Sequence, residues 1–274
     1  MTRRNAVCRP AGSRWRVSRR AAEALRRVAR AAADLALPRH CVVCDAPVER
    51  GRVDVCCGRC WVALPRLPHP QCTRCGHPLV VGDLPPPHDR GPRRCRWCDL
   101  LPPYVRAGRS VCWAPEGSGG ALVHALKYDG WTLAAAGMAR RMAALAWPED
   151  VVAERAALVP VPLAPERRRE RGYNQSAALA VALASTLGLT VWDDVLLRTR
   201  ATRSQTRLTP TERLANVAGA FRSAPAAGPR LRGAHLVLVD DVVTTAATLN
   251  ACAAALVAGG ARVVSFVTFG RARS

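Results

Sequence analysis

Eight cysteines form four CxxC pairs between residues 41 and 98, and this spacing constrains the fold more than any other feature of the chain. In a CxxC turn both thiolates point to one side of the backbone, where they occupy two corners of a tetrahedron around zinc. Two turns complete one site, so four turns predict two all-cysteine zinc sites. The predicted ligands are Cys41, Cys44, Cys57, Cys60, Cys72, Cys75, Cys95 and Cys98.

The alternative interpretation is a set of redox or incidental cysteines. A cytosolic thioredoxin-type motif, however, occurs once in a βαβ context rather than four times in a loop-rich segment. The gap from Cys75 to Cys95 fits zinc-ribbon spacing, and the gap from Cys44 to Cys57 is slightly shorter. The spacing favours pairing of neighbouring turns over interleaved pairing but does not decide between them.

The composition is that of a globular and strongly basic protein. Of 274 residues 49% are hydrophobic, and 41 Lys and Arg against 20 Asp and Glu give a formal charge of +21. A disordered chain is therefore excluded, and the length suits one domain of catalytic size plus a smaller module. Each zinc ion with four thiolates carries −2, so two filled sites would leave a charge of about +17.

The sequence shows neither a membrane segment nor a signal peptide. No run of about 18 apolar residues is present, and the Arg-rich N-terminus is not followed by an apolar stretch with a cleavage site. We therefore expect a cytoplasmic protein without a membrane span.

Shifts in composition divide the chain into three parts. Residues 1–35 form a basic arm, whose first 30 residues hold ten Arg and one Glu, a net charge of +9. The arm is predicted to bind polyanions, with a solvated helix or a wrongly assigned start codon as alternatives. Residues 36–101 form a cysteine-rich module, Pro102-Pro103 a linker, and residues 104–274 a region of alternating strands and helices.

The third part has the pattern of an α/β domain. An apolar, β-branched run from Leu236 to Val239 is short enough to be a buried parallel strand. A helix to Ala258 and a strand from Val263 to Phe269 follow, and this order implies a right-handed βαβ unit and a parallel sheet. Further predicted elements are helices over 118–128, 131–147, 174–187 and from Thr209, a strand over 158–162 and a loop over 166–172.

Two carboxylates come directly after the buried strand. Asp240 and Asp241 lie at its carboxyl end, where ligands bind in open α/β sheets, and a threonine-rich turn follows before a helix. Hydroxyls and free N–H groups at a helix start suit a phosphate, while paired carboxylates suit ribose hydroxyls and, through them, Mg²⁺. A capped helix with acidic first-turn residues is the alternative, and the sequence favours a nucleotide-sugar site.

Residues Val237 to Thr248 resemble the phosphoribosyl pyrophosphate (PRPP) signature of type I phosphoribosyltransferases. The cysteine pairs, HALKY at 124–128, VPVP before RGYNQ at 171–175, and the segment from Gln205 to Phe221 stand in the order typical of the ComF family. The resemblance covers about residues 36–270. It implies a type I phosphoribosyltransferase-like parallel sheet with helices on both faces, preceded by a double zinc ribbon, and a role in DNA uptake and natural transformation.

The resemblance also implies roles for individual residues. Asp240 and Asp241 would hold the ribose hydroxyls of PRPP with Mg²⁺, and the turn after them the 5′-phosphate. Arg167 and Arg171 follow VPVP in the place of the pyrophosphate loop, and Arg198 lies in a segment that forms a lid in related folds. The implied phosphate-binding residues are Thr244, Thr245, Ala246, Ala247 and Thr248.

Two of the site positions are unusual. Ala246 stands where the signature usually has Gly, so a methyl group there costs geometry if the position needs φ > 0 or approaches the phosphate closely. Lys127 is the only lysine in a chain with 41 basic residues, which points to a need for a compact ammonium, with chance retention as the alternative. We predict Lys127, Asp240 and Asp241 as the catalytic residues.

Three classes of function are compatible with these features. As an enzyme, the protein would transfer the ribose phosphate of PRPP to an acceptor that no segment identifies. As a binding module, it would hold single-stranded DNA on its basic surface and zinc turns and keep a vestigial pocket. As a regulator or scaffold, it would sense PRPP or a nucleotide and contact other DNA-uptake proteins. The sequence favours a PRPP-site protein that acts in nucleic-acid handling.

Overall fold

A five-stranded parallel sheet forms the centre of the part of the chain that the structure describes. The computed structural model describes residues 40–48, 54–80, 95–128, 133–200 and 217–273, and residues 40–274 belong to one compact unit. The basic arm at 1–35 and the helix predicted from Thr209 lie outside the described residues. The predicted domain boundary at 101–104 stays a prediction.

The sheet is built from strands that are far apart in sequence. Its strands are β1 (Val105–Trp113), β2 (Arg155–Pro160), β3 (Thr190–Val191), β6 (His235–Val243) and β7 (Val263–Arg271). Their order is β1-β7-β6-β2-β3, and every neighbouring pair is parallel. β4 (Leu196–Arg198) and β5 (Phe221–Ser223) form a separate antiparallel pair.

The longer helices connect these strands, as a parallel sheet requires. The described helices are α1 (Gly58–Val62), α2 (Gly117–Tyr128), α3 (Leu133–Ala143), α4 (Glu149–Glu154), α5 (Pro165–Arg171), α6 (Gln175–Leu187), α7 (Gly228–Leu231) and α8 (Ala247–Ala258). In the described ranges no helix is long and apolar enough to cross a membrane. The predicted α/β class with a parallel sheet is confirmed.

Each face of the sheet is covered by helices together with one group of cysteines. Along β6, Leu236 and Leu238 point into a core that includes α8 and the buried cysteines between residues 72 and 98. Val237 and Val239 point into the opposite core, which includes α2, α3, α6 and the buried cysteines between residues 41 and 60. The cysteine-rich module therefore takes part in both cores rather than standing apart from the sheet.

Arg74 fixes one CxxC turn to the first strand of the sheet. Its guanidinium donates to the carbonyl oxygens of Cys98, Pro102 and Val105 at 2.6 to 3.3 Å. The carbonyls of Cys98 and Pro102 also accept from the backbone N–H groups of Leu101 and Val105, so the arginine adds a second hydrogen bond to these oxygens across a long sequence separation.

The segment predicted as a loop at 166–172 is the helix α5, so that prediction is wrong. Pro165 stands in its first turn, Glu166 lies near the positive end of the dipole, and Gly172 ends it at φ +78°. Helix-forming Arg and Glu fill the interior, and Glu166 and Arg169 form a pair at 3.8 Å. The charged composition suggested a loop, although the capping residues predict a helix.

Two other boundaries differ from the predictions because of backbone contacts. The helix predicted over 131–147 ends at Ala143, and Arg109 instead holds the carbonyl of Ala146 at 2.6 Å and stacks on Trp147. The strand predicted over 158–162 spans Arg155–Pro160 and ends before Pro162, which has no N–H for the ladder.

Candidate functional site

The carboxyl ends of four strands surround one cavity of about 580 Å³. Residues that directly follow β1, β2, β6 and β7 line it, at the edge where open α/β sheets bind ligands. Five cationic side chains and two carboxylates contribute to the lining, so positive charge is in excess and favours an anionic ligand. These side chains are Lys127, Arg167, Arg171, Arg198, Arg273, Asp240 and Asp241.

Asp241 is the more deeply buried member of the carboxylate pair, with 4% of its surface exposed. Its Oδ2 lies 2.5 Å from Nζ of Lys127, and its Oδ1 accepts from Nε2 of Gln175 at 3.3 Å. Lys127 belongs to the last turn of α2 and thus reaches across to the end of β6. The structure brings together the three residues predicted as catalytic.

Asp240 is held by the first turn of α6. Its Oδ1 accepts from the hydroxyl of Ser176 at 2.8 Å and from the backbone N–H of Asp241 at 2.9 Å. Burial and the charge of Asp241 raise the pKa of Asp240 to about 8. At neutral pH Asp240 is therefore largely protonated.

Asp241 and Lys127 are both charged. Burial acts to raise the pKa of Asp241, but the ammonium of Lys127 outweighs it and holds that pKa below its usual value. Asp241 in turn raises the pKa of Lys127 against the effect of burial. The carboxylate pair consequently carries about one negative charge at pH 7, which Lys127 balances.

The turn between β6 and α8 has the form of an anion site. The cavity is lined there by Thr244, Ala246, Ala247 and Thr248. The helix α8 begins in this turn, and its first backbone N–H groups have no preceding helical turn whose carbonyls could accept from them. Thr245 does not line the cavity, and its buried hydroxyl has no hydrogen-bond partner among the described residues.

Ala246 adopts the conformation that glycine favours. Its φ is +59°, and 3% of its surface is exposed. An alanine in this left-handed region carries about 1 kcal/mol of strain that a glycine avoids. The methyl group of Ala246 therefore stands at a position with positive φ, which is the condition under which the sequence predicts backbone strain.

Arg167 and Arg171 lie four residues apart on α5, so they share one side of the helix and both line the cavity. Arg171 donates to Oε1 of Gln175 at 3.1 Å, and its guanidinium lies 4.9 Å from the ring centroid of Tyr128. Arg198 lines the cavity from the end of β4.

The cysteines form two clusters of neighbouring turns. The first cluster is Cys41, Cys44, Cys57 and Cys60, and the second cluster is Cys72, Cys75, Cys95 and Cys98. Within each cluster all sulfur atoms lie within 4.8 Å of one another, with contacts of 3.7 Å in the first and 3.4 Å in the second. A tetrahedron of zinc–sulfur bonds has an edge of about 3.8 Å, so both clusters fit zinc.

The two clusters differ in their surroundings. Cys44 of the first cluster is exposed, whereas all four cysteines of the second are buried. The buried guanidinium of Arg271 lies beside the second cluster, donates to the carbonyl of Cys75 at 2.6 Å, and lies 4.3 Å from the ring centroid of Trp97. The second cluster is thus embedded in the core next to a buried cation.

Comparison with known proteins agrees with this architecture. A family model of the double zinc ribbon domain matches residues 32–99, and a family model of the phosphoribosyl transferase domain matches residues 174–274. The DNA utilization protein YhgH of Escherichia coli (strain K12) is 32% identical over 245 residues, covering 84% of this chain and 96% of that protein. Competence protein F of Haemophilus influenzae is 35% identical over 94 residues, covering 34% of this chain and 41% of that protein.

The chain belongs to the ComF family. A second YhgH protein of this family, from Salmonella typhimurium, is 33% identical over the same share of both chains. The family predicted from the order of the motifs is therefore confirmed, as is the combination of a cysteine-rich zinc-ribbon module with a phosphoribosyltransferase domain.

Several residues of this ComF site received no role from the sequence. Gln175 and Ser176 hold the two carboxylates, although the RGYNQ motif indicated only that their segment matters. Arg273 lines the cavity and pairs with Glu116 at 2.8 Å, and Arg271 lies beside the second cluster. Neither arginine has a local signal, because both act through contacts that the sheet creates.

We expect Asp240→Asn to raise the free energy of unfolding at pH 8. Because the pKa of Asp240 is about 8 in the folded chain and about 4 in an unfolded one, the folded state binds the extra proton between these values. Stability is therefore lost as pH rises from about 4 to 8, and asparagine removes this loss. A gain of about 1 kcal/mol raises Tm by about 2–4 °C, which thermal unfolding at pH 8 measures.

The matched control is Asp193→Asn, because Asp193 is an exposed carboxyl outside the cavity. We expect no gain in that variant, and for Asp240→Asn we expect the gain to vanish near pH 4. An Asp240→Asn variant with a Tm equal to or below that of the unmodified protein at pH 8 contradicts the burial of a protonated Asp240.

Proposed function

We propose that this protein binds PRPP, or a closely related ribose phosphate, together with Mg²⁺. The observation that carries the proposal is the cluster of Asp240, Asp241 and Lys127 at the end of β6, beside the turn that starts α8. Carboxylates that accept from a ribose diol and helix N–H groups that donate to a phosphate match the two polar parts of a ribose 5-phosphate.

The arginines of the cavity support the same ligand. Arg167 and Arg171 extend the positive lining away from the helix start of α8, and guanidinium groups pair with phosphate oxygens through two parallel hydrogen bonds. A pyrophosphate on C1 of the ribose would contact these two residues. Mg²⁺ supplies charge neutralisation when bound, mostly through phosphate and hydroxyl oxygens of the ligand.

Both cysteine clusters are proposed to hold structural zinc. Four protein thiolates complete the tetrahedron and leave no open position for a substrate. None of the eleven cysteines in the described ranges forms a disulfide, which supports a reducing, cytoplasmic location.

The names of the relatives support a cellular role in DNA handling. YhgH is described as a DNA utilization protein and the Haemophilus relative as a competence protein. We propose that this protein also acts in DNA uptake and natural transformation, where other DNA-uptake proteins are its partners.

Release of pyrophosphate distinguishes a transferase from a binding protein with a vestigial pocket. Transfer breaks the bond between C1 and the pyrophosphate oxygen, forms a bond between C1 and the acceptor, and releases pyrophosphate. Release of pyrophosphate in the presence of nucleobases therefore supports the enzyme, whereas PRPP binding without release supports a sensor or regulator.

Calorimetric titration with PRPP and Mg²⁺ tests the proposed site. We expect Ala246→Gly to bind as tightly as the unmodified protein or more tightly, because glycine removes the strain at φ +59° and the methyl group near the phosphate. Thr248→Val loses a hydroxyl donor and should cost about 1–3 kcal/mol, or about 5- to 150-fold in Kd. Asp240→Asn should abolish measurable binding, because the ribose hydroxyls and Mg²⁺ would displace the proton of Asp240, and asparagine cannot supply the resulting carboxylate.

Ala247→Gly is the matched control for Ala246→Gly, because Ala247 begins the helix rather than preceding it. It should not tighten binding. Asp241→Asn is a poor test, since it leaves the ammonium of Lys127 buried without its partner. Absence of PRPP binding in both the unmodified protein and Ala246→Gly refutes the ribose-phosphate site and leaves DNA binding as the remaining function.

A second candidate function is the binding of single-stranded DNA, favoured by an arginine surface beside the first cluster. A second cavity, of about 480 Å³, is lined by Trp61 and by three arginines, Arg66, Arg140 and Arg141. Arg141 stacks on Trp61 with 3.4 Å between its guanidinium carbon and the ring centroid, and Arg140 pairs with Asp54 at 2.9 Å. The three arginines outnumber the single carboxylate by two, and this excess of positive charge suits phosphodiesters.

We expect Arg66→Gln to reduce the salt dependence of single-stranded DNA binding. Each phosphate contact contributes about 0.7 to the slope of log K against log salt for single strands, so the slope should fall by about that amount. Arg66 is exposed, and Arg222→Gln on β5 removes another exposed charge as the control. Fluorescence anisotropy at several salt concentrations gives the slope, and equal slopes in both variants exclude this surface as the DNA contact.

A further inference from the structure

Arg271 is the largest fully buried side chain among the described residues, and it is a cation. It stands at the end of β7, between β1 and β6, and its Nη2 donates to the carbonyl of Cys75. Its Nε and Nη1 are buried without a hydrogen-bond partner in the described part of the chain. A buried guanidinium with two unpaired N–H groups is too costly to persist without an acceptor that bears negative charge.

The second cluster supplies such a charge when it holds zinc. Four thiolates and one Zn²⁺ sum to −2, and all four cysteines are buried, so water cannot solvate this charge. The first cluster does not have this requirement, because Cys44 reaches the surface. Arg271 contributes one positive charge beside the second cluster, and its Nη2 donates to the backbone carbonyl of a ligand residue, Cys75.

The chain next to Arg271 builds the wall of the ribose-phosphate cavity. Ala272 follows it and donates its N–H to the carbonyl of Val243 at 2.8 Å, directly before the turn that starts α8. Ala272 and Arg273 line the cavity. A second connection runs from Asn250 of α8, whose Nδ2 donates to the carbonyl of Leu100 at 2.6 Å, two residues after a cysteine of the second cluster.

The hydrophobic core makes the same connection. The four cysteines of the second cluster belong to one continuous set of buried residues that also includes Val243, Ala246, Ala247 and Leu249. The first cluster belongs to the other core, on the opposite face of the sheet. The second cluster therefore packs into the same core as the turn between β6 and α8, and the first cluster does not.

We propose that Arg271 balances the charge of the metal at the second cluster. Through Arg271, this metal holds the turn at residues 244–248 in the conformation that binds phosphate. Arg271 is thus a positioning residue that couples the zinc ribbon to the cavity. The coupling to the cavity rests on the proposed ribose-phosphate function, because that ligand defines the binding conformation of the turn. Zinc retention and backbone order are measured without the ligand.

The test compares Arg271→Met with Arg222→Met, in which an exposed arginine of β5 is replaced in the same way. Zinc release to a chromophoric chelator is followed for each protein. Labelling of freed thiols with a maleimide, read by mass spectrometry, assigns the release to a cluster. We expect two zinc ions in each protein, and release from the second cluster that is about 10- to 100-fold faster in Arg271→Met only.

Hydrogen exchange of residues 243–250 supplies the second readout. We expect Arg271→Met to lose protection there, while residues 175–187 of α6 on the other face keep theirs. Unchanged zinc release in Arg271→Met refutes the counter-charge. Faster release with unchanged exchange at 243–250 refutes the coupling.

A second experiment applies if Arg271→Met does not fold. In the unmodified protein, limiting chelator removes zinc stepwise, and thiol labelling of the second cluster should rise together with exchange at 243–250. Labelling of the second cluster without this rise contradicts the proposal. PRPP titration of the same samples is read separately, so a protein that never binds PRPP refutes the proposed function and leaves the metal coupling to be judged by zinc release and exchange.

Discussion

A parallel sheet buries both of its faces, and in this protein each cysteine cluster helps to cover one of them. The alternation along β6 sends Leu236 and Leu238 toward the second cluster and Val237 and Val239 toward the first. The sheet depends on this alternation of side chains between two cores, because neither face of its strands can be exposed to water. The zinc ribbon is consequently part of the core that supports the ligand cavity.

Electrostatics at the end of β6 complete the site. Lys127 balances the one negative charge of a crowded carboxylate pair, and Asp240 keeps a proton in the folded chain. Such a pair is destabilising for the fold, which is common where residues serve binding rather than stability. The excess of arginine around the cavity then leaves an environment that favours a phosphate over a neutral sugar.

Local patterns in the sequence predicted the parts of this architecture that depend on neighbouring residues. The CxxC turns and the apolar run before Asp240 fix their own geometry, so the cysteine clusters and the position of the two carboxylates near the end of a strand were predictable. The helix α5 was missed because its run of charges hid capping residues that favour a helix. Ala246 was identified as unusual, and its positive φ gives the physical reason.

Long-range contacts were not predictable in the same way. The solitary Lys127 suggested a special position, but nothing in the sequence pairs it with Asp241. Arg271 is one of many arginines, and only the register of β7 places it beside the second cluster. Residues that act through the packing of distant elements carry no local periodicity or motif that distinguishes them from solvated charges.

A crystal structure with ribose 5-phosphate and Mg²⁺ tests the central claim most directly. We expect phosphate oxygens within hydrogen-bond distance of the backbone N–H groups of residues 244–248, and the ribose hydroxyls on the carboxylates of Asp240 and Asp241. A ligand in the same cavity with its phosphate away from the start of α8, or a ligand bound only at the arginine surface around Trp61, would contradict it.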